Sequence, residues 1–183
     1  MGAIDIGAAA INRDDDSASG YTRVGTVNSA NDAGTITSFE VWFATTASGF
    51  KVGTTSGSGT SYTSRDYETI GDVTAGSKQT FSGLDCDVET GDFTIHYFSS
   101  GSIERDNAGA GVGHAYYISG DELDGDPHTY TDWSDVDFSV YGIGATASGW
   151  TNIVKVNGIA SANIAKVNGI VVANIAKVNG IAV

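Results

Sequence analysis

The chain has 183 residues, a net charge of −13, 25 glycines, one proline and one cysteine. That length suits one globular domain with an appendage. The lone Cys86 excludes an intrachain disulfide, and the acidity argues against nucleic acid or an anionic membrane as partner.

In chain order, the start (MGAIDIGAAAINRDDD) lacks a basic region and a long apolar core, so no secretory leader is expected. No stretch is long and apolar enough for a transmembrane span. Short runs then alternate apolar with polar residues, the signature of half-buried strands. They predict strands over Tyr21–Val27, Thr35–Phe43, Phe50–Thr54, Tyr67–Val73, Gln79–Leu84, Asp92–Phe98, His114–Ile118 and Val136–Tyr141. In Thr35–Phe43, Phe39, Val41 and Phe43 share one face. In Asp92–Phe98, Phe93 and Ile95 share a face and His96 takes the other, which assigns His96 to the surface. The intervening Asn28–Gly34, Thr55–Thr60, Asp85–Gly91, Ser99–Gly113 and Ser119–Pro127 read as loops. No segment has helical periodicity. The expected fold is therefore all-β: an antiparallel, jelly-roll-like β-sandwich over residues 1–145. A linker over 146–151 and a β-repeat segment over 152–183 follow.

The repeat segment is the most distinctive part of the chain. NIVKVNGIASA, NIAKVNGIVVA and NIAKVNGIAV follow one another from Asn152 to Val183 at a period of 11. Such near-identity marks units that bury their apolar faces only against neighbours. Each unit carries Asn-Gly between apolar residues, at Asn157-Gly158, Asn168-Gly169 and Asn179-Gly180. This pair favours a type I′ hairpin turn, which needs positive φ at both central positions. In the middle unit Val167 should then face Ile170, and Lys166 should face Val171. Up to Thr151 the chain carries −16, whereas the repeats carry +3 from Lys155, Lys166 and Lys177. Strands of about four residues are marginal alone. With so little charge they are also an aggregation hazard when exposed. They must pair within the chain as a small solenoid or meander, or with other copies. Three chains about one axis would bury Ile153, Val156, Ile159, Ile164, Val167, Ile170, Ile175, Val178 and Ile181 and turn the lysines outward.

Chemical motifs are sparse. There is no G-x-S-x-G, and His96, His114 and His128 are scattered. Gly142–Ala147 formally matches G-x-G-x-x-A, but no helix follows it, so it reads as a glycine-rich strand exit. Cys86, between two aspartates, is expected to be half-buried. No catalytic residue and no cofactor are expected. Asp14, Asp15 and Asp16, and separately Asp121, Glu122, Asp124 and Asp126, form acidic loops with oxygen ligands suited to Ca²⁺, but lack EF-hand spacing. Trp42, Tyr116, Tyr117, Tyr130 and Trp133 offer aromatic bodies with polar tips, suited to a glycan platform.

Four body segments, IDIGAAA…GYTRVGTVN, GTITSFEVWF, AGSKQTFSGLDCDVETGDF and SVYGIGATASGW, resemble sandwich domains of tailed-phage and prophage structural proteins. The IAKVNGI units resemble tandem repeats that end many such proteins. The resemblance implies a decoration, fibre or receptor-binding component, often trimeric, at a virion surface or outside the cell. It supplies no catalytic residues. Its partners would be further copies, other virion or filament proteins, and in an adhesion module a cell-surface glycan.

Overall fold

The alternation seen at Thr35–Phe43 runs on into a single strand of 25 residues, and the body is organised around it. The computed structural model describes residues 2–107 and 113–146, together with the backbone of six two-residue strands in the repeat segment. The chain divides into two units, Gly2–Ala145 and Thr146–Val183. No helix occurs among the described residues.

In the body, β1 (Ala3–Gly7), β2 (Asp15–Ala18) and β3 (Tyr21–Gly25) precede the long β4 (Gly34–Ser58). After it come β5 (Ser61–Val73), β6 (Lys78–Val88), β7 (Phe93–Tyr97) and β8 (Ser100–Asn107). The last five are β9 (His114–Ser119), β10 (Pro127–Thr129), β11 (Thr131–Ser134), β12 (Val136–Phe138) and β13 (Val140–Thr146). All 13 belong to one hydrogen-bonded system, and the fold is all-β and antiparallel as expected.

β4 pairs β6 along its first half, β8 through its middle, and β5 and β7 along its second half. A further ladder runs from β7 through β3 and β9 to β11. A bulge between Ile36 and Ser38 puts Ile36 and Phe39 on the same side of the strand. Ile36, Phe39, Val41 and Phe43 are consequently all fully buried. Register shifts between Ala47 and Phe50 bend the strand further. There Gly49 has φ +62°, and a Cβ on it would lie 2.6 Å from Ser99 Oγ. The bend brings Phe50 edge-on to Phe43, ring centroids 5.1 Å apart, and Phe98 packs on Phe43 at the same distance. Gly53 lets β5 approach closely, since a Cβ there would sit 2.6 Å from Tyr67 Cα.

The ladder of β7, β3 and β9 is buried on both faces. Val24 and Ile95 join Tyr62, Leu123 and Tyr130 in a small cluster on one side. Arg23 and His96, directly opposite one another in register, point to the other side. That side is covered by Phe98 and Phe138 of the main cluster. His96 is 0% exposed, which corrects its assignment to the surface. Alternation identified the opposite face, but a second layer of aromatics covers it. Cys86 is likewise fully buried rather than half-buried, directly opposite Ile36 in the β4–β6 register.

In the repeat segment the backbone forms three hairpins: β14 (Lys155–Val156) with β15 (Ile159–Ala160), β16 (Lys166–Val167) with β17 (Ile170–Val171), and β18 (Lys177–Val178) with β19 (Ile181–Ala182). Val167 pairs Ile170 and Lys166 pairs Val171, and the other two hairpins repeat this register. The turn residues Asn157, Gly158, Asn168, Gly169, Asn179 and Gly180, the isoleucines Ile153, Ile164 and Ile175, and residues 147–151 of the expected linker lie outside the described residues.

Phe43 is the aromatic hub of the main cluster. Phe43→Ala should cost about 3–5 kcal/mol in urea unfolding, whereas exposed Thr46→Ala should change stability by less than about 0.5 kcal/mol.

Candidate ligand-binding site

An aromatic cleft of about 400 Å³ opens where β2, β3, β8, β9 and β11 meet. β2 lines it with residues 16–18, β3 with Tyr21 and Arg23, β8 with Arg105, β9 with Tyr117, and β11 with Asp132 and Trp133. The β11–β9 register sets Asp132 opposite Tyr116 and Trp133 opposite Ala115. Tyr117 stands edge-on both to Trp133, at 5.7 Å, and to Tyr21, at 5.8 Å. Trp133 is backed by Phe138 at 6.0 Å. The Arg105 guanidinium lies 4.6 Å from the Trp133 ring centroid, a cation–π contact that fixes the indole. Arg105 also pairs with Asp15 at 2.8 Å and donates from Nε to the Asp16 carbonyl at 2.7 Å. Ser102 Oγ donates to Asp16 Oδ2 at 3.0 Å.

Arg23 is only 2% exposed. Its Nη1 donates to the Tyr21 carbonyl at 3.2 Å and its Nη2 to the Ala18 carbonyl. Its Nε has no partner among the described residues. Rings of Tyr21, Phe98 and Phe138 surround the guanidinium at 5.2–5.8 Å. Burial pushes its pKa down to about 10; Tyr21 opposes that shift and Arg105 adds to it. The group remains a cation at neutral pH.

The five expected platform aromatics are not one surface. Tyr117 and Trp133 come together in the cleft. Tyr116, next in the strand to Tyr117, points to the opposite face and packs with Tyr62 at 5.0 Å. Tyr130 is in the same small cluster, 5.7 Å from Tyr62, with its buried hydroxyl unpartnered among the described residues. Trp42 sits on β4 opposite Lys78, outside the cleft. Tyr21, Arg23 and Arg105 complete the site without having been singled out. Tyr21 and Arg23 read as ordinary strand residues, and Arg105 falls in what reads as a long loop.

The acidic segments resolve differently. Asp15 and Asp16 are in a strand, not a loop, and their carboxylates meet Arg105 and Ser102. Asp121 takes Lys51 at 2.6 Å. Glu122 and Asp124 gather around His128, whose Nε2 lies 3.5 Å from Glu122 and 3.0 Å from Asp124. These three bring possible cation ligands within 4.8 Å of one another. The Asp126 amide and then His128 hold the exposed Asp124 carboxyl below its ordinary pKa, so this loop is already cross-linked by its own hydrogen bonds. Gly142 and Gly144 are within β13, packed against Ile6 and Ile36, where no phosphate-binding turn exists. Burial raises the Cys86 thiol to about 12, which leaves it protonated and unreactive.

No protein-family model matches the chain, and no curated protein matches it.

Burial and, second, neighbouring Arg23 hold His96 well below the ordinary histidine pKa. Between that depressed value and about 6.5 the unfolded chain binds more protons, so stability rises with pH. Lowering the pH from 7 to 5 should therefore reduce unfolding free energy, with a slope of at most about 1.4 kcal/mol per pH unit from this residue. His96→Leu should flatten that slope in urea titrations; an unchanged slope would assign the acid sensitivity to other groups.

Proposed function

We propose that this chain is a non-enzymatic structural and adhesion protein of a virion surface or extracellular fibre, in which the repeats assemble several copies and the body displays a ligand cleft. The observation that carries the reading is the threefold recurrence of one hairpin register, Val156 with Ile159, Val167 with Ile170 and Val178 with Ile181. Each hairpin has two residues per strand, far below what holds a free hairpin together in water. Each nevertheless keeps a valine–isoleucine pair beside one lysine. Stacked copies supply the missing burial, and a trimer gives each repeat position a symmetric core. The +3 charge of the repeats spares them the mutual repulsion of the −16 body. Other virion or filament proteins are the further partners of such an assembly. The sandwich reading of the body rests on β4, which feeds two sets of ladders around a shared apolar cluster.

A second reading, carbohydrate binding, is favoured by the grouping of Tyr21, Tyr117 and Trp133 around two arginines and two aspartates. Aromatic walls with hydrogen-bonding groups at their rim suit sugar rings. The two readings are compatible, since multiple linked copies multiply a weak sugar affinity.

Removing Asn152–Val183 should leave a folded, monomeric body in light scattering, while the full chain is oligomeric. A truncated body with the full chain's oligomeric state would overturn assembly by the repeats.

A further inference from the structure

Arg23 is the exception among the cations of the body. Arg13 pairs with Asp106, Lys51 with Asp121, Arg65 with Asp92, Lys78 with Glu40 and Arg105 with Asp15. Arg23 is among the most buried of them and has no carboxylate partner among the described residues. An uncompensated buried charge is costly, and such groups are normally paired. Arg23 is one of the residues that line an open, aromatic cleft. A guanidinium has five N–H donors in a planar fork, and here the Nε–H of a buried side chain that lines the cleft has no partner among the described residues.

We propose that the cleft binds the terminal acidic residue of a glycan, a hexuronic or sialic acid, with its carboxylate on Arg23 and its ring against Trp133 and Tyr117. The inference rests on the carbohydrate reading above and names its substrate class. One negative charge on the ligand compensates the one unpaired cation. Asp16 and Asp132, also in the wall, accept hydrogen bonds from ring hydroxyls, which a sugar supplies and a bare anion does not. Those same carboxylates oppose a doubly charged phosphate. The −16 body opposes a polyanionic chain, so the recognised unit is a single acidic end. Arg105, already held by Asp15 and lying over the Trp133 ring, acts as a positioning residue that fixes the indole in the cleft wall.

The test is an NMR titration of the full chain, read at the Trp133 indole N–H, with calorimetry for affinity. The probes are 3′-sialyllactose and a glucuronic-acid-terminated disaccharide, each beside its neutral counterpart: lactose, and the carboxyl-reduced disaccharide. Acetate serves as the carboxylate-only probe. The acidic sugars should shift Trp133 and bind at least about tenfold more tightly than the neutral ones. Tyr117→Ala and Trp133→Ala, at half-buried positions, should each abolish the calorimetric signal while circular dichroism stays that of the parent chain. Arg23→Gln should erase the preference for the acidic sugars, provided its circular dichroism is unchanged; the two aromatic variants decide the matter if it fails to fold. Equal binding of acidic and neutral sugars would overturn the acidic specificity and leave the carbohydrate reading standing. Acetate binding as tightly as the sugars would overturn the role of the ring. No shift with any sugar would overturn both this inference and the carbohydrate reading.

Discussion

One strand too long for a single ladder sets the shape of this body. β4 uses 25 residues to serve β6, β8, β5 and β7 in turn. Changing partners along its length demands a bulge near Ile36 and a bend near Gly49. Because of the bend, Phe43 and Phe50 meet edge to face instead of lying on one flat strand surface. The main apolar cluster forms inside that fold, and Ile4, Ile6, Ile103 and Phe138 arrive from other strands to complete it. Edge-to-face pairs in such a cluster add about 0.5–1.5 kcal/mol each beyond area burial.

The same arrangement creates the cleft. The second half of β4 brings β7 and β3 beside it, with an aromatic layer on each face. Residues on the inner face of β3 and β7 are then buried whatever their polarity, and Arg23 and His96 occupy two of those positions. The imidazole responds by staying neutral. The guanidinium cannot, and Arg23 lines the cleft together with residues of β2, β9 and β11. A polar residue that violates the burial rule at the edge of an opening is a common mark of a working site. Arg105 and Trp133 line the cleft as well, so it draws on strands widely separated in sequence.

What was legible in the sequence follows from what is local. Phe39, Val41 and Phe43 alternate strictly, and all three are core. The Asn-Gly pairs predict the register of Val167 with Ile170, and that pairing is present. Residues 44–49 fall between two of the expected strands, because apolar–polar alternation lapses there; Thr45 and Ser48 pair β8 and carry the strand through. β8 itself looks like a loop, with Ile103 its only aliphatic residue. It is held by β2 through Arg105 and Asp15, an ion pair with no sequence signature. Of the five aromatics, Tyr116 and Tyr117 show the limit most clearly. Adjacent in a strand, they must face opposite ways, but which of the two faces a cleft depends on β11 and β3.

Body and repeats solve the same problem at different scales. The body has enough strands to cover its own apolar faces. The repeats have two residues per strand and a valine–isoleucine pair in each hairpin, and under the proposed assembly their cover comes from other copies. Amide hydrogen exchange of the full chain, followed at the six repeat strands over a dilution series, tests this most directly. Protection at high concentration that disappears as the chain dissociates to a monomer is the outcome self-assembly requires. Protection that persists in a chain shown to be monomeric by light scattering would contradict it.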